Sequence, residues 1–151
     1  MDSLALFESH RCRLRGLAYR MLGSRAEADD VVQDTWLRWQ NVEPDSVADA
    51  GHYLTRIAAN LCLDRLKSAV ARRETYIGSW LPEPIVDAAN LYYPAPDVAS
   101  EFADDISFAL MLALERLSPA ERAAFLLHDV FDYGFDELAV LLHRTPSSCR
   151  K

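Results

Sequence analysis

Glycine is scarce in this chain, with five in 151 residues. Alternating β-branched runs are also few. Together these shortages argue against sheets, whose strands read with a period of two and whose tight turns call on glycine. The N-terminus has no basic start followed by an apolar run. Met1 to His10 carries Asp2 and Glu8 instead, so no secretory signal is expected. The longest strongly apolar stretch, Phe108 to Leu114, falls far short of the ~20 residues a bilayer crossing needs. Cysteine is limited to Cys12, Cys62 and Cys149, an odd and widely spaced set. That disfavours a disulfide framework and suits the reduced thiols of a cytoplasmic protein. His10, His52, His128 and His143 show neither metal-ligand pairing at helical spacing nor a nucleophile partner, and no glycine loop for phosphate is present. No enzyme chemistry, cofactor, metal, small-molecule substrate or membrane partner is therefore expected.

What is abundant is Ala, Leu, Arg and Glu in long stretches, which favours helix and an all-α fold. The net charge of −7 argues, taken alone, against a nucleic-acid binder. Its distribution points the other way. Residues 1–22 carry +2, residues 23–50 carry −5, residues 51–73 carry +4, residues 74–105 carry −7 with no Lys or Arg, and residues 106–151 carry −1. Charge sorted into blocks predicts faces that meet different partners.

Helical spacing of Phe7, Leu14, Leu17, Ala18 and Met21 predicts a first helix from about Leu4 to Leu22, ended by Gly23. Ser24 with Glu27 three residues on predicts the start of a second, running to about Gln40 with Ala28, Val32, Trp36 and Trp39 inward. After a Pro44-containing loop, a third helix is expected from about Gly51 to Arg73 on the seam Leu54, Ile57, Ala58 and Leu61. Pro82, Pro84, Pro94 and Pro96 then forbid a continuous helix, and the acidic, aromatic composition reads as a linker. Two small helical domains, 1–73 and 102–151, are thus expected around a linker at 74–101. In the second, Ser118-Pro119-Ala120-Glu121 starts a helix reaching about Phe131, Asp132-Tyr133-Gly134 makes a turn, and Phe135–Leu142 forms a short helix with Leu138, Ala139 and Leu142 inward. Thr145-Pro146 caps a final one.

Three constellations carry function. Asp30 and Asp34 share a face of the second helix, with Asp29 and Gln33 beside them. Like charges at this spacing suit a basic partner, or else a solvated face near a helix N-terminus. On the third helix Arg56, Asn60, Leu63 and Lys67 line one side, extended by Arg72 and Arg73. Basic groups so spaced can meet successive phosphates while an asparagine amide reads a base edge. Tyr53 can stack on an unpaired base or pack into the core. The short helix, the turn at His143-Arg144 and the capped helix at Thr145-Pro146 form a helix-turn-helix, either a reader of the DNA major groove or a plain helical hairpin.

Ala26-Glu27-Ala28-Asp29-Asp30-Val31-Val32-Gln33-Asp34-Thr35-Trp36, and Tyr53-Leu54 followed by Ile57-Ala58-Ala59-Asn60-Leu61-Cys62-Leu63-Asp64, resemble region 2 of extracytoplasmic-function (ECF) sigma factors of the sigma-70 family. Leu117-Ser118-Pro119-Ala120-Glu121-Arg122 and Phe135-Asp136-Glu137-Leu138-Ala139 resemble region 4 of the same family. Arg72-Arg73-Glu74-Thr75-Tyr76-Ile77-Gly78 leading to Trp80-Leu81-Pro82-Glu83-Pro84 resembles the SigJ-like subgroup, whose extra C-terminal SnoaL-like regulatory domain this sequence lacks. The resemblance implies a sigma factor that directs RNA polymerase to promoters and melts them. Asp29, Asp30, Gln33 and Asp34 would dock on the clamp helices of the polymerase beta-prime subunit. Tyr53, Arg56, Asn60, Lys67, Arg72 and Arg73 would hold the opened minus-ten element, and the acidic linker would thread toward the RNA path. Region 4 would meet the beta flap and place Arg144, Thr145, Ser147, Ser148, Arg150 and Lys151 at the minus-thirty-five element.

The family's recognition helix continues past the position of Lys151. Here Pro146 to Lys151 make less than two turns, and weak or absent minus-thirty-five binding is the expectation. Two alternatives accompany the leading reading: a truncated decoy that occupies core polymerase without initiating, and a helical interaction protein with no nucleic-acid role.

Overall fold

The computed structural model describes residues 2–71 and 109–150. The linker at 74–101, the domain boundary placed there, and the site candidates Arg72, Arg73 and Lys151 lie outside those residues. Every regular element among the described residues is helical.

Helix α1 (Ser3–Leu22) opens on Asp2, whose carboxylate accepts from the Leu4 N–H at 3.1 Å. It stops at Gly23, which adopts φ 71° and sends its N–H back to the Tyr19 carbonyl at 2.7 Å. That left-handed conformation costs glycine nothing, so the chain reverses within two residues. Ser24 caps α2 (Arg25–Trp39) through Oγ accepting from the Glu27 N–H at 3.3 Å. The hairpin is clamped at its open end, where the Trp39 indole N–H donates to the Ser3 carbonyl at 2.9 Å. Trp39 is fully buried, and Phe7 packs on Trp36 at 5.0 Å. Trp36 itself is only half-buried. Val31 and Thr35 join Ala28, Val32 and Trp39 on the inner face, Thr35 because its Oγ1 donates to the Val31 carbonyl at 2.7 Å.

The loop after α2 contains a 3-10 turn (Pro44–Ser46) and leads to α3 (Ala50–Ala71). Spacing alone predicts a single inward seam for α3. Instead Leu54, Thr55, Ala58, Ala59, Leu61, Cys62 and Leu63 are all buried, while Ile57 is half-buried. The reason is position: α3 packs against α1, α2 and the C-terminal helices, so its buried arc spans most of its circumference.

In the C-terminal half, residues 109–115 form the described part of helix α4. Helix α5 (Pro119–Asp129) starts where expected, with Ser118 Oγ accepting from the Glu121 N–H at 3.3 Å, and ends two residues early. Asp132 takes φ 56° in the turn that follows. Helix α6 (Phe135–Leu142) begins with the Gly134 N–H donating to Glu137 Oε2 at 3.1 Å. It buries Leu138, Ala139 and Leu141, while Leu142 is half-buried. His143 ends it in the left-handed region at φ 54°, and Thr145 caps α7 (Pro146–Cys149) by accepting from the Ser148 N–H at 3.3 Å. The two halves share one apolar core, because α5 lies against both α1 and α3.

Candidate nucleic-acid and partner interfaces

The acidic stripe of α2 points outward, as its opposite face is fixed in the core. Asp29, Asp30 and Gln33 are exposed and Asp34 is half-buried. The stripe is not uniformly free. Asp29 pairs with Arg15 Nε of α1 at 2.9 Å, and Asp34 pairs with Arg65 of α3 at 3.2 Å. The side chains of Asp30 and Gln33 make no ion pair or hydrogen bond among the described residues. Sequence reading does not find Arg15 and Arg65. Neither stands at helical spacing from its partner, so only the packing of α1 and α3 on α2 reveals the pairs. Asp29 and Gln33 also line a groove with Leu4, Phe7, Arg15 and Trp36.

The basic face of α3 is narrower than its spacing suggests. Arg56 and Lys67 are exposed and Asn60 is half-buried, but Leu63 is 5% exposed and belongs to the core. Tyr53 has two neighbours: the Trp39 ring, tilted by 52° at a centre separation of 5.9 Å, and the Arg56 guanidinium, 5.4 Å from the ring centre. Tyr53 is half-buried and packs against the core, as its core reading expects. Just ahead of it, the Asp49 carboxylate accepts from the His52 N–H at 3.0 Å. That backbone bond is the main cause of its depressed pKa, so Asp49 is charged at neutral pH in a groove that Arg56 also lines.

Arg144, Thr145, Ser147, Ser148 and Arg150 are exposed around the start of α7. Arg150 rests over the Phe135 ring at 5.3 Å, and the Thr145 and Ser147 hydroxyls lie 3.3 Å apart. The turn before α7 is closed by His143 and Arg144, with the Arg144 N–H donating to the Ala139 carbonyl at 3.0 Å. Short helix, left-handed turn and capped helix are the parts of a helix-turn-helix.

Two residues that sequence reading passes over join the halves. Arg122 is 6% exposed and donates to the Leu114 carbonyl at 3.0 Å, to the Met21 carbonyl of α1, and to Glu115 at 3.4 Å. Burial lowers its pKa and Glu115 partly restores it. Its signal was legible: an arginine on the same face as Leu126 and Ala123 of an amphipathic helix needs buried acceptors. Tyr133, 5% exposed, donates from its hydroxyl to the His52 carbonyl at 2.9 Å.

Cys12 is exposed, Cys149 partly so and Cys62 buried, and all three are free thiols. Among the described residues no group of three or more His, Cys, Asp or Glu could hold a metal ion. No described helix is long and apolar enough to cross a membrane.

Family comparisons agree with this layout. Residues 6–72 match the model of Sigma-70 region 2, and residues 107–151 match that of Sigma-70, region 4. The chain is 45% identical over 146 residues to the ECF RNA polymerase sigma factor SigJ of Mycobacterium tuberculosis, covering 96% of this chain and 46% of that protein. It is 34% identical over 150 residues to the probable ECF RNA polymerase sigma factor SigI of the same species, covering 97% and 50%. The crystal structure of the M. tuberculosis extracytoplasmic function sigma factor SigJ superimposes with a TM-score of 0.72 at 40% identity, over 97% of this chain and 49% of that one. The chain thus spans about half the length of the curated relatives it matches. With region 2 and region 4 matched in order and each carried on the helices described above, the chain belongs to the sigma-70 family and sits with its extracytoplasmic-function members.

Proposed function

We propose that this chain acts in transcription initiation as the core-binding, promoter-opening and promoter-reading part of a sigma factor. Region 2 engages core RNA polymerase through Asp29, Asp30, Gln33 and Asp34, against basic helices of the beta-prime clamp. Tyr53, Arg56, Asn60 and Lys67, with Arg72 and Arg73 next in the sequence, hold the opened minus-ten strand. Region 4 meets the beta flap and turns Arg144, Thr145, Ser147, Ser148, Arg150 and Lys151 toward the minus-thirty-five element, a contact expected to be weak. No covalent step belongs to the chain: promoter opening is driven by the binding energy of unstacked bases and their phosphates.

The observation that carries this reading is the outward face of α2. Asp30 and Gln33 stand exposed on a helix whose other side is locked by Trp39, Val31 and Ala28, so an unpaired acceptor surface is held rigidly for a basic partner. Asp29 and Asp34 already have internal cations, which makes Asp30 the cleanest probe. Titration of labelled chain with core polymerase should show Asp30→Arg binding at least about tenfold more weakly, while the fold stays intact because the side chain is exposed. Equal binding by Asp30→Arg and the parent would remove the polymerase assignment from this face. In parallel, the double variant Arg56→Ala with Lys67→Ala should bind single-stranded DNA more weakly and flatten its salt dependence, with a slope change of about 0.7 per phosphate contact removed.

A further inference from the structure

The outward face of α2 is edged by cations from its neighbours. At 3.6 residues per turn its polar side chains fall around the helix in the order Asp29, Gln33, Asp30, Asp34, over about 140°. The two outer acids are the ones with internal partners. Arg15 of α1 places Nε 2.9 Å from Asp29 Oδ1, and Arg65 of α3 places Nη2 3.2 Å from Asp34 Oδ2. One guanidinium thus stands at each edge of the stripe, with Asp30 between them. Arg11, held by Glu8 at 3.1 Å, joins Arg15 along the α1 rim of the groove that Gln33 lines from the other side.

These pairs do little for the fold. The side chains of Arg15 and Asp29 are 42% and 55% exposed, and those of Arg65 and Asp34 31% and 45%; ion pairs so open to water add little stability. Their effect falls on what approaches. A guanidinium has five N–H donors and no acceptor, so a partly solvated one keeps donors for an incoming group after meeting one carboxylate. A uniformly basic surface laid on α2 would satisfy Asp30 but set its outer cations against Arg15 and Arg65, a like-charge contact that costs affinity. A surface with one cation at its centre and a carboxylate on each side meets an acceptor in the middle and donors at both edges. Leu37, 51% exposed on the next turn of the same face, adds an apolar contact for either kind of surface.

Resting on the assignment of this face to core polymerase, we infer that Arg15 and Arg65 are its specificity-determining residues. They admit a partner surface that runs acid, base, acid across α2, and they reject one that is basic throughout. Asp30 supplies the attraction, and the two arginines decide what may sit beside it.

Core polymerase and a ten-lysine peptide, a uniformly basic probe, separate the two kinds of partner. Nitrogen-15 amide spectra of the full chain, followed at residues 29–37, read peptide binding at α2 apart from the acidic residues elsewhere in the sequence. Interferometry on immobilised core polymerase reads the other affinity. The double variant Arg15→Gln with Arg65→Gln should bind the peptide at α2 about tenfold more tightly. The same variant should bind core polymerase about fivefold more weakly, because the partner's flanking acids lose their donors. Arg15→Lys with Arg65→Lys keeps both charges and should restore the parent's preference. Arg15→Gln alone, at the more exposed pair, should move both readouts in the same two directions by smaller factors, even where Arg65→Gln disturbs the packing of α3. A purely structural role would not give this crossing, since a damaged α2 weakens both affinities. If both affinities rise, the arginines only dilute negative charge, and the inference falls while the polymerase reading of α2 stands. It falls likewise if core binding is unchanged, or if the amides at 29–37 respond to the peptide no more strongly than in the parent. Equal core binding by Asp30→Arg and the parent removes the polymerase reading itself, and this inference with it.

Discussion

Arg122 is the most informative side chain to perturb, because its partners differ in kind. Its guanidinium is buried and gives hydrogen bonds to two main-chain carbonyls, Leu114 and Met21, and to one carboxylate, Glu115, whose side chain is 41% exposed. Truncation to alanine strands two buried acceptors, each worth about 1–3 kcal/mol. It also deletes the alkyl stem, and it regains the desolvation cost that lowers the arginine's pKa. The balance is a loss of about 3 kcal/mol for Arg122→Ala. Arg122→Met keeps the stem and should lose about 2 kcal/mol. Glu115→Gln removes only a long, half-solvated ion pair and should cost under about 1 kcal/mol. Urea unfolding followed by far-UV circular dichroism ranks the three variants directly. If Glu115→Gln costs as much as Arg122→Ala, the ion pair and not the carbonyls holds the arginine. If Arg122→Met is as stable as the parent, the carbonyl bonds contribute no more than the desolvation of the guanidinium costs. Either result refutes carbonyl capture by Arg122 as the joint between the halves.

Further outcomes follow from the same geometry. His143 sits exposed at φ 54°, so His143→Gly should leave stability unchanged or raise it by up to about 1 kcal/mol, measured by the thermal midpoint; a clear loss would mean the imidazole makes a contact worth more than the strain. Leu17→Ala, at a fully buried site between the α1 neighbours, should cost about 2–5 kcal/mol in chemical denaturation, against about 1 kcal/mol for Ser118→Ala at the α5 cap. Burial raises the Cys62 thiol from 9.0 to about 12 and the Tyr133 phenol from 10.0 to about 12. Both groups are held neutral in the fold, so their stabilising effect is complete below pH 9 and is lost as pH climbs to about 12. Tyr133→Phe should remove the Tyr133 share of that decline between about pH 10 and 12, and an unchanged alkaline profile would show the phenol is not protected.

Much of this architecture is written in local signals. Ser24, Ser118 and Thr145 each receive a backbone N–H three residues on, and α6 occupies Phe135–Leu142 as its turn residues and spacing imply. Such features depend on neighbours within four residues, which a sequence displays side by side. Leu63 shows where that reasoning stops. A one-sided seam is the rule for a surface helix, but α3 is covered from several directions, and periodicity cannot say how many neighbours a helix has. The candidate site was legible in part for the same reason. The residues of the α2 stripe and the Arg56, Asn60 and Lys67 face follow from spacing along one helix. The Arg15–Asp29 and Arg65–Asp34 pairs, and the hydrogen bond from Tyr133 to the His52 carbonyl, join different elements.

The two ends of α1 are secured by partners at very different distances along the chain. The Ser3 carbonyl is held by Trp39, 36 residues on, and the Met21 carbonyl by Arg122, 101 residues on. Closing the longer loop costs roughly 0.9 kcal/mol more in chain entropy. The order of synthesis acts in the same direction: the α1–α2 hairpin can collapse while the ribosome is still making residues 72–108, whereas Met21 keeps water on its carbonyl until α5 emerges. The joint between the halves is then the last part to assemble. A folding experiment should see the Trp39 environment form early and the Arg122 contact in a later, slower phase.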